Sequence, residues 1–109
     1  MNDPQLQTIV DQVRAQHPDW KLFQIVVPGR DEEVFLARKC PWGEYKRLIG
    51  KVKDEAEANE VIVQTFLAYP KVDYETMQLE WDPGLVVTLA QQIQRGLGFS
   101  QEAAQIKKL

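Results

Sequence analysis

The chain has 109 residues, of which 44% are hydrophobic and 27% are charged, and this length suits one small domain. Its 13 Lys and Arg residues oppose 16 Asp and Glu residues, so the net charge of −3 gives no general attraction for nucleic acid or an acidic membrane. One cysteine excludes an internal disulfide, and together with one histidine it provides too few ligands for a structural zinc site.

The sequence also lacks the usual signals for a membrane or a nucleotide cofactor. The N-terminal residues contain no basic stretch followed by an apolar run, and no apolar stretch approaches the ~20 residues of a membrane span. Gly96 and Gly98 do not follow a predicted strand, so we interpret them as a helix end rather than a phosphate-binding loop. We therefore expect an unprocessed cytoplasmic protein.

The first predicted element is a helix near the N-terminus. Pro4 suits the first helical position, where a missing N–H is not needed. The apolar residues that follow recur at the spacing of one helix face: Leu6, Ile9, Val10 and Val13. His17 precedes a proline, which disfavours helical backbone, so we expect this helix to end near Gln16.

Two short segments with strand character come next. Residues 21–27 and residues 33–38 are rich in β-branched and aromatic side chains and are too short for typical helices. Residues 28–32, between them, begin with a proline-glycine turn signal and are otherwise polar. The sequence therefore predicts an antiparallel β-hairpin.

Helical periodicity returns after the hairpin. Pro41 opens a helix that we expect to reach about Lys53, and a second helix begins after Asp54 and ends at Tyr69-Pro70. We favour a break between the two helices, although the residues around it are themselves good helix formers.

In the last third of the chain, the sequence leaves the structure of one segment undecided and predicts one clear helix. Residues 73–81 fit either a short helix or an irregular segment whose aromatic residues pack on the core. Asp82 and Pro83 then predict the start of a final amphipathic helix, which Gly96 and Gly98 close.

These elements predict a small, mostly helical α+β domain with one antiparallel β-hairpin. We expect the domain to span residues 1–99 and residues 100–109 to form a C-terminal tail. Its core should gather periodic apolar residues around the hairpin: Trp42, Tyr45, Leu48, Ile49, Val61, Ile62, Phe66, Leu89 and Ile93.

Cys40 and His17 are the only pair of residues that suggests nucleophilic catalysis, and they lack the companions that such catalysis needs. A thiol just before a helix can have a lowered pKa, but a small residue that fills the corner between a strand and a helix is the simpler interpretation. His17 is interpreted as a surface residue or a helix cap. We expect no enzyme activity, no cofactor and no metal site.

Six cations fall within residues 38–53: Arg38, Lys39, Lys46, Arg47, Lys51 and Lys53. Such a cluster can bind phosphates or an acidic partner. A solvated helix face opposite the apolar stripe explains most of these cations without any ligand. We do not expect nucleic acid as the partner, and we keep a small nucleic-acid or regulatory binding module that uses this segment as the alternative function.

The C-terminal tail contains an apolar stripe after Phe99: Ala103, Ala104, Ile106 and Leu109. A stripe of this kind can become ordered when it contacts another protein. The other interpretation is a frayed chain end.

Short motifs occur in a fixed order along the chain. A strand leads through an arginine (VFLAR, residues 34–38) into a turn and an EYKR helix start at residues 44–47. A helix then approaches an aromatic-proline step (FLAYP, residues 66–70), and a last helix precedes GFS at residues 98–100.

In this order the motifs resemble the small tail or baseplate assembly chaperones of tailed bacteriophages. The resemblance covers residues 22–100. The CPWG turn at residues 40–43 departs from the polar turn that is typical of these proteins.

The resemblance implies a non-enzymatic chaperone that binds a structural tail component, namely a tail tube, tape-measure or baseplate protein. Such a protein acts in the host cytoplasm, either transiently or as a component retained in the virion. We expect the partner to contact six residues: Arg38, Trp42, Tyr45, Phe99, Ile106 and Leu109.

Overall fold

The computed structural model describes residues 3–98 of the chain. Within them, five helices and a three-stranded antiparallel sheet form a small α+β fold, as the sequence predicts. In chain order the elements are α1 (Asp3–Gln16), β1 (Leu22–Ile25), β2 (Phe35–Arg38), α2 (Trp42–Ile49), α3 (Glu55–Phe66), β3 (Leu67–Tyr69), α4 (Tyr74–Glu80) and α5 (Pro83–Gly96).

The predicted hairpin is present, with strands shorter than the sequence suggests. β1 pairs antiparallel with β2, and Leu22 lies opposite Arg38 at one end of this pairing. β2 occupies the centre of the sheet, because its other edge pairs antiparallel with β3. The β2–β3 register is irregular between Leu36 and Ala37.

The sheet has a hydrophobic cluster on each face, and β2 contributes to both. Phe35 and Ala37 belong to the larger cluster, whereas Leu36, together with Val34 just before the strand, belongs to the smaller one. This division follows from the alternation of side chains along a strand. Because both faces are covered, the first three residues of β2 are all apolar rather than alternating with polar ones.

Helix α1 covers one face of the sheet by itself, with Ile9 and Val13 buried in the smaller cluster. The remaining helices contribute to the larger cluster on the opposite face. Its fully buried residues include Phe66 from α3 and Leu89 and Ile93 from α5. The core is therefore divided into two clusters by the sheet, whereas the sequence predicted one core.

Strand β3 was not predicted. The sequence suggested that the helix before it continues to Tyr69-Pro70, but α3 ends at Phe66 and Leu67 already has extended backbone, with φ −71° and ψ 118°. The side chains of Leu67 and Ala68 point to opposite faces of the sheet. Leu67 is therefore buried in the larger cluster and Ala68 in the smaller one, although β3 has only three residues. Pro70 ends the strand, and the peptide bond before it is cis.

The predicted break between the second and third helices is confirmed. Helix α2 ends at Ile49, earlier than expected, and the Gly50 N–H donates to the Lys46 carbonyl at 3.0 Å. Helix α3 has its own cap, since the Asp54 carboxylate accepts a hydrogen bond from the Glu57 N–H at 2.8 Å.

The segment at residues 73–81, for which the sequence left two alternatives, contains a helix, α4. Its cap is Asp73, whose carboxylate accepts from the Thr76 N–H at 2.7 Å, and this contact lowers the pKa of Asp73. Met77 is the residue of α4 that is buried, and Trp81 packs against the larger cluster.

The predicted core list is right for most residues and wrong for Trp42. Tyr45, Ile62, Phe66, Leu89 and Ile93 are buried, and the others except Trp42 are half-buried. Trp42 is 67% exposed even though it lies in the apolar stripe of its helix. The reason is its position in the first turn of α2, at the margin of the larger cluster.

Candidate functional site

The corner between β2 and α2 brings together three of the predicted partner-binding residues. Arg38 ends β2, Trp42 begins α2, and Tyr45 follows one turn later on the same side of the helix. Pro41 is the cap residue of α2 and has extended backbone, with φ −75° and ψ 160°. A proline here ends the strand and directs the chain into the helix.

The side chain of Arg38 makes its contacts mainly within the domain. Its side chain is 14% exposed, and its guanidinium forms a bidentate pair with Glu44, with Nη2–Oε2 at 2.7 Å and Nη1–Oε1 at 3.3 Å. The guanidinium carbon also lies 5.0 Å from the Phe66 ring centroid and 5.2 Å from the Trp20 ring centroid. Arg38 therefore fixes the corner, and only a small part of it is accessible to a partner.

The hydrogen bond from Arg38 holds the pKa of Glu44 below its ordinary value of 4.5. A carboxylate whose pKa is lower in the folded state adds stability above its unfolded pKa, and this contribution disappears as the pH falls through the folded value. We therefore expect Glu44→Gln to destabilise the protein at neutral pH, with a difference from the wild type that shrinks below about pH 4.5.

Urea unfolding of both proteins across a pH series measures this difference. Glu80→Gln is the matched control, since Glu80 is exposed and forms no ion pair within the described part of the chain. A difference between wild type and Glu44→Gln that stays constant from neutral to acid pH would contradict the prediction.

Tyr45 is buried between two other aromatic rings. Its ring centroid is 6.2 Å from that of Trp42 and 6.3 Å from that of Phe66. Its hydroxyl oxygen accepts a hydrogen bond from Gln94 Nε2 at 3.2 Å, which ties α2 to α5. Tyr45 thus connects the exposed Trp42 to the interior of the larger cluster.

A pocket of about 280 Å³ lies beside Trp42, between the start of α2 and the end of α5. We call it the Trp42 pocket; it is lined by Cys40, Trp42, Tyr45, Leu97 and Gly98. Gly98 has φ +106°, a conformation that favours glycine, and its N–H donates to the Arg95 carbonyl at 3.0 Å. The pocket therefore lies where the chain leaves the last helix.

The sequence did not indicate that Leu97 and Gly98 face the start of α2. Their only signal was the pair of glycines, which predicts a helix end but not what lies beside it. The predicted contacts Phe99, Ile106 and Leu109 lie outside the described residues.

Cys40 is half-buried in this corner, as the simpler interpretation of the sequence expected. Burial raises the pKa of its thiol, and the nearby Glu44 carboxylate adds to the effect. A raised pKa leaves less of the thiolate, the reactive form, at neutral pH. His17 instead stacks on Trp20, with ring centroids 3.6 Å apart.

Two cations of the basic segment are close neighbours of pocket-lining residues along the chain; we call Lys39 and Lys46 the basic rim. Both are exposed. Lys39 precedes Cys40 in the chain, and Lys46 lies one helical turn after Trp42. Arg47 lies on another side of α2, with Nη1 3.6 Å from a Cβ placed at Gly43, and its charge helps to lower the pKa of Glu44.

A second pocket, of about 260 Å³, lies between α3, α4 and α5. Trp81 and Val86 contribute apolar surface to it, whereas Glu60 contributes a carboxylate. No group of three or more His, Cys, Asp or Glu residues within residues 3–98 is arranged to hold a metal ion.

None of the helices in the described part of the chain combines the length and apolar content needed to cross a membrane. Comparison of the chain with protein-family models, with curated proteins and with solved structures gave no match.

Proposed function

We propose that this chain is a non-enzymatic assembly chaperone for the tail or baseplate of a tailed bacteriophage. It binds a structural tail component, namely a tube, tape-measure or baseplate protein, through the Trp42 pocket. The phage setting comes from the order of the sequence motifs, and it places the chaperone in the host cytoplasm, from which it is either released or carried into the virion.

The exposed ring of Trp42 is the observation that carries the proposal. Tryptophan is among the residues that contribute most to protein interfaces, because its large ring excludes water from a wide contact. Here the ring is 67% exposed and stands beside an apolar pocket. Its stack on buried Tyr45 holds one side of it in place. A rigid aromatic side chain loses little conformational freedom when a partner binds.

Affinity purification of the tagged chain from cells in which the phage assembles, followed by mass spectrometry, tests the proposal. We expect recovery of a tube, tape-measure or baseplate protein, and loss of most of it with Trp42→Ala. Leu79→Ala is the matched control, since Leu79 is 75% exposed but does not line the Trp42 pocket. Salt-sensitive recovery of nucleic acid in place of a tail protein would favour the alternative module that uses residues 38–53.

Removal of residues 100–109 tests whether the C-terminal tail serves the partner or the fold. Among residues 3–98, Ile93 is the last fully buried residue of the larger cluster. We expect the shortened protein to keep its thermal midpoint within a few degrees and to recover less of the tail component. A midpoint many degrees lower, measured by circular dichroism, would assign the tail to the core instead.

A further inference from the structure

We infer that the Trp42 pocket binds an acidic segment of the partner, which places one apolar side chain in the pocket and its carboxylates against the basic rim. This inference rests on the proposed function, because it specifies the chemistry of the partner segment at the same site. Lys39 and Lys46 supply the positive charge, and Trp42 supplies the apolar contact.

The pocket has room and an apolar lining for a side chain of the partner. Its volume of about 280 Å³ is at the lower limit of the roughly 300–1,000 Å³ that small-molecule sites occupy. Trp42, Tyr45 and Leu97 give it a mainly apolar wall. A Phe, Leu or Met side chain from a partner could therefore enter it while the flanking backbone of the partner stays outside.

Neither Lys39 nor Lys46 forms an ion pair within residues 3–98. The ion pairs within residues 3–98 join Arg30 to Glu33 and Asp82, and Arg38 to Glu44. Glu44, the carboxylate in the first turn of α2, is paired with Arg38, and the charge of Arg47 also helps to lower its pKa. The basic rim keeps an unbalanced positive charge next to an apolar pocket, and carboxylates on a partner would complement it.

This arrangement suits an acidic peptide better than a nucleic acid. Binding to a phosphate backbone needs a row of cations along a track, usually with several stacked bases. The pocket offers one exposed ring and a short rim, and the protein as a whole carries a net charge of −3. The overall field therefore opposes a long polyanion, while the local charge still attracts a few carboxylates.

Fluorescence anisotropy with the full-length chain and short labelled peptides tests the inference. The probe peptide carries a central Phe flanked on both sides by Glu; one companion replaces each Glu with Lys, and another replaces the Phe with Ser. We expect the acidic Phe peptide to bind about tenfold or more tightly than either companion, and its affinity to fall as salt is added. Equal binding of the Lys peptide, or no binding of any peptide, would overturn the inference.

Single substitutions localise the site. We expect Trp42→Ala and Lys46→Glu each to weaken binding of the acidic peptide about tenfold. Lys51→Glu is the matched control for Lys46→Glu, because it makes the same change in net charge after the end of α2. Equal loss with the two charge reversals would show that only the overall charge matters, which would overturn a site at the pocket.

Two further results identify a different occupant. If the wild type does not bind the acidic peptide but the full-length variant Phe99→Ser/Ile106→Ser/Leu109→Ser does, the chain's own C-terminal residues fill the pocket and the inference is wrong. It is also wrong if a single-stranded DNA oligonucleotide displaces the peptide at an equal or lower concentration.

The purification experiment separates this inference from the proposed function. Recovery of a tail protein that is unaffected by Lys46→Glu and by salt would leave the proposed function standing and refute the acidic segment. Peptide binding with the expected charge dependence, without recovery of any tail protein, would support the acidic segment and refute the phage partner.

Discussion

Truncation of Phe66 to Ala should lower the free energy of unfolding by roughly 3–5 kcal/mol, the range typical of a fully buried aromatic residue. The Phe66 side chain is completely buried in the larger cluster. Its ring stacks with Tyr45 and lies beneath the Arg38 guanidinium, so the cavity would also remove support from the Arg38–Glu44 pair. Such a loss is a large fraction of the stability of a domain of this size.

Urea unfolding of wild type and variant measures the effect. Tyr74→Ala is the control, since Tyr74 is also aromatic and is 55% exposed, and we expect it to change stability by only about 0.5 kcal/mol. An unchanged urea midpoint for Phe66→Ala would refute the assignment of this residue to the core.

Replacement of Gly96 by Ala should destabilise the protein by about 1–3 kcal/mol, even though alanine is the better helix former. Gly96 is the last residue of α5, and β1 approaches it closely. A Cβ at this position would clash with the Phe23 ring, with Cδ2 only 2.6 Å away. Either the Phe23 ring must move or the helix must shift from the sheet.

The same helix offers a matched control for this substitution. Gly84 is exposed in the first turn of α5, and a Cβ placed there has no neighbour within 4 Å. We expect Gly84→Ala to be neutral or to stabilise the protein by up to about 1 kcal/mol. Equal stabilisation by Gly84→Ala and Gly96→Ala would show that β1 and α5 do not pack as described.

Local patterns were sufficient to predict most elements of the fold. Apolar periodicity predicted α1 and α5, and Asp54 predicted the separate start of α3, because a cap acts on backbone groups a few residues away. The hairpin followed from strand-forming residues around a turn. Strand β3 was missed because its three residues continue the apolar pattern of α3, and only pairing with β2 makes extended backbone favourable there.

The candidate site was only partly predictable for the same reason. The sequence singled out Trp42, Tyr45 and Arg38, and the structure brings all three to one corner. It did not reveal that Arg38 is covered by aromatic rings and paired with Glu44, or that the end of α5 forms a wall of the Trp42 pocket. The contacts of Arg38 with Phe66 and of the start of α2 with the end of α5 join residues distant in the chain, so no local spacing encodes them. Arg38 and Glu44 are six residues apart, a separation that spans the corner between strand and helix and follows neither the period of a strand nor that of a helix.

The sequence by itself determined the fold class, the hairpin and the positions at which most helices begin, because these depend on side-chain spacing and on caps within a few residues. The tertiary structure decided which of two neighbouring stripe residues is buried, Tyr45, and which is exposed, Trp42. Burial depends on what packs against a helix face, and α3 and α5 cover Tyr45 but leave the first turn of α2 uncovered.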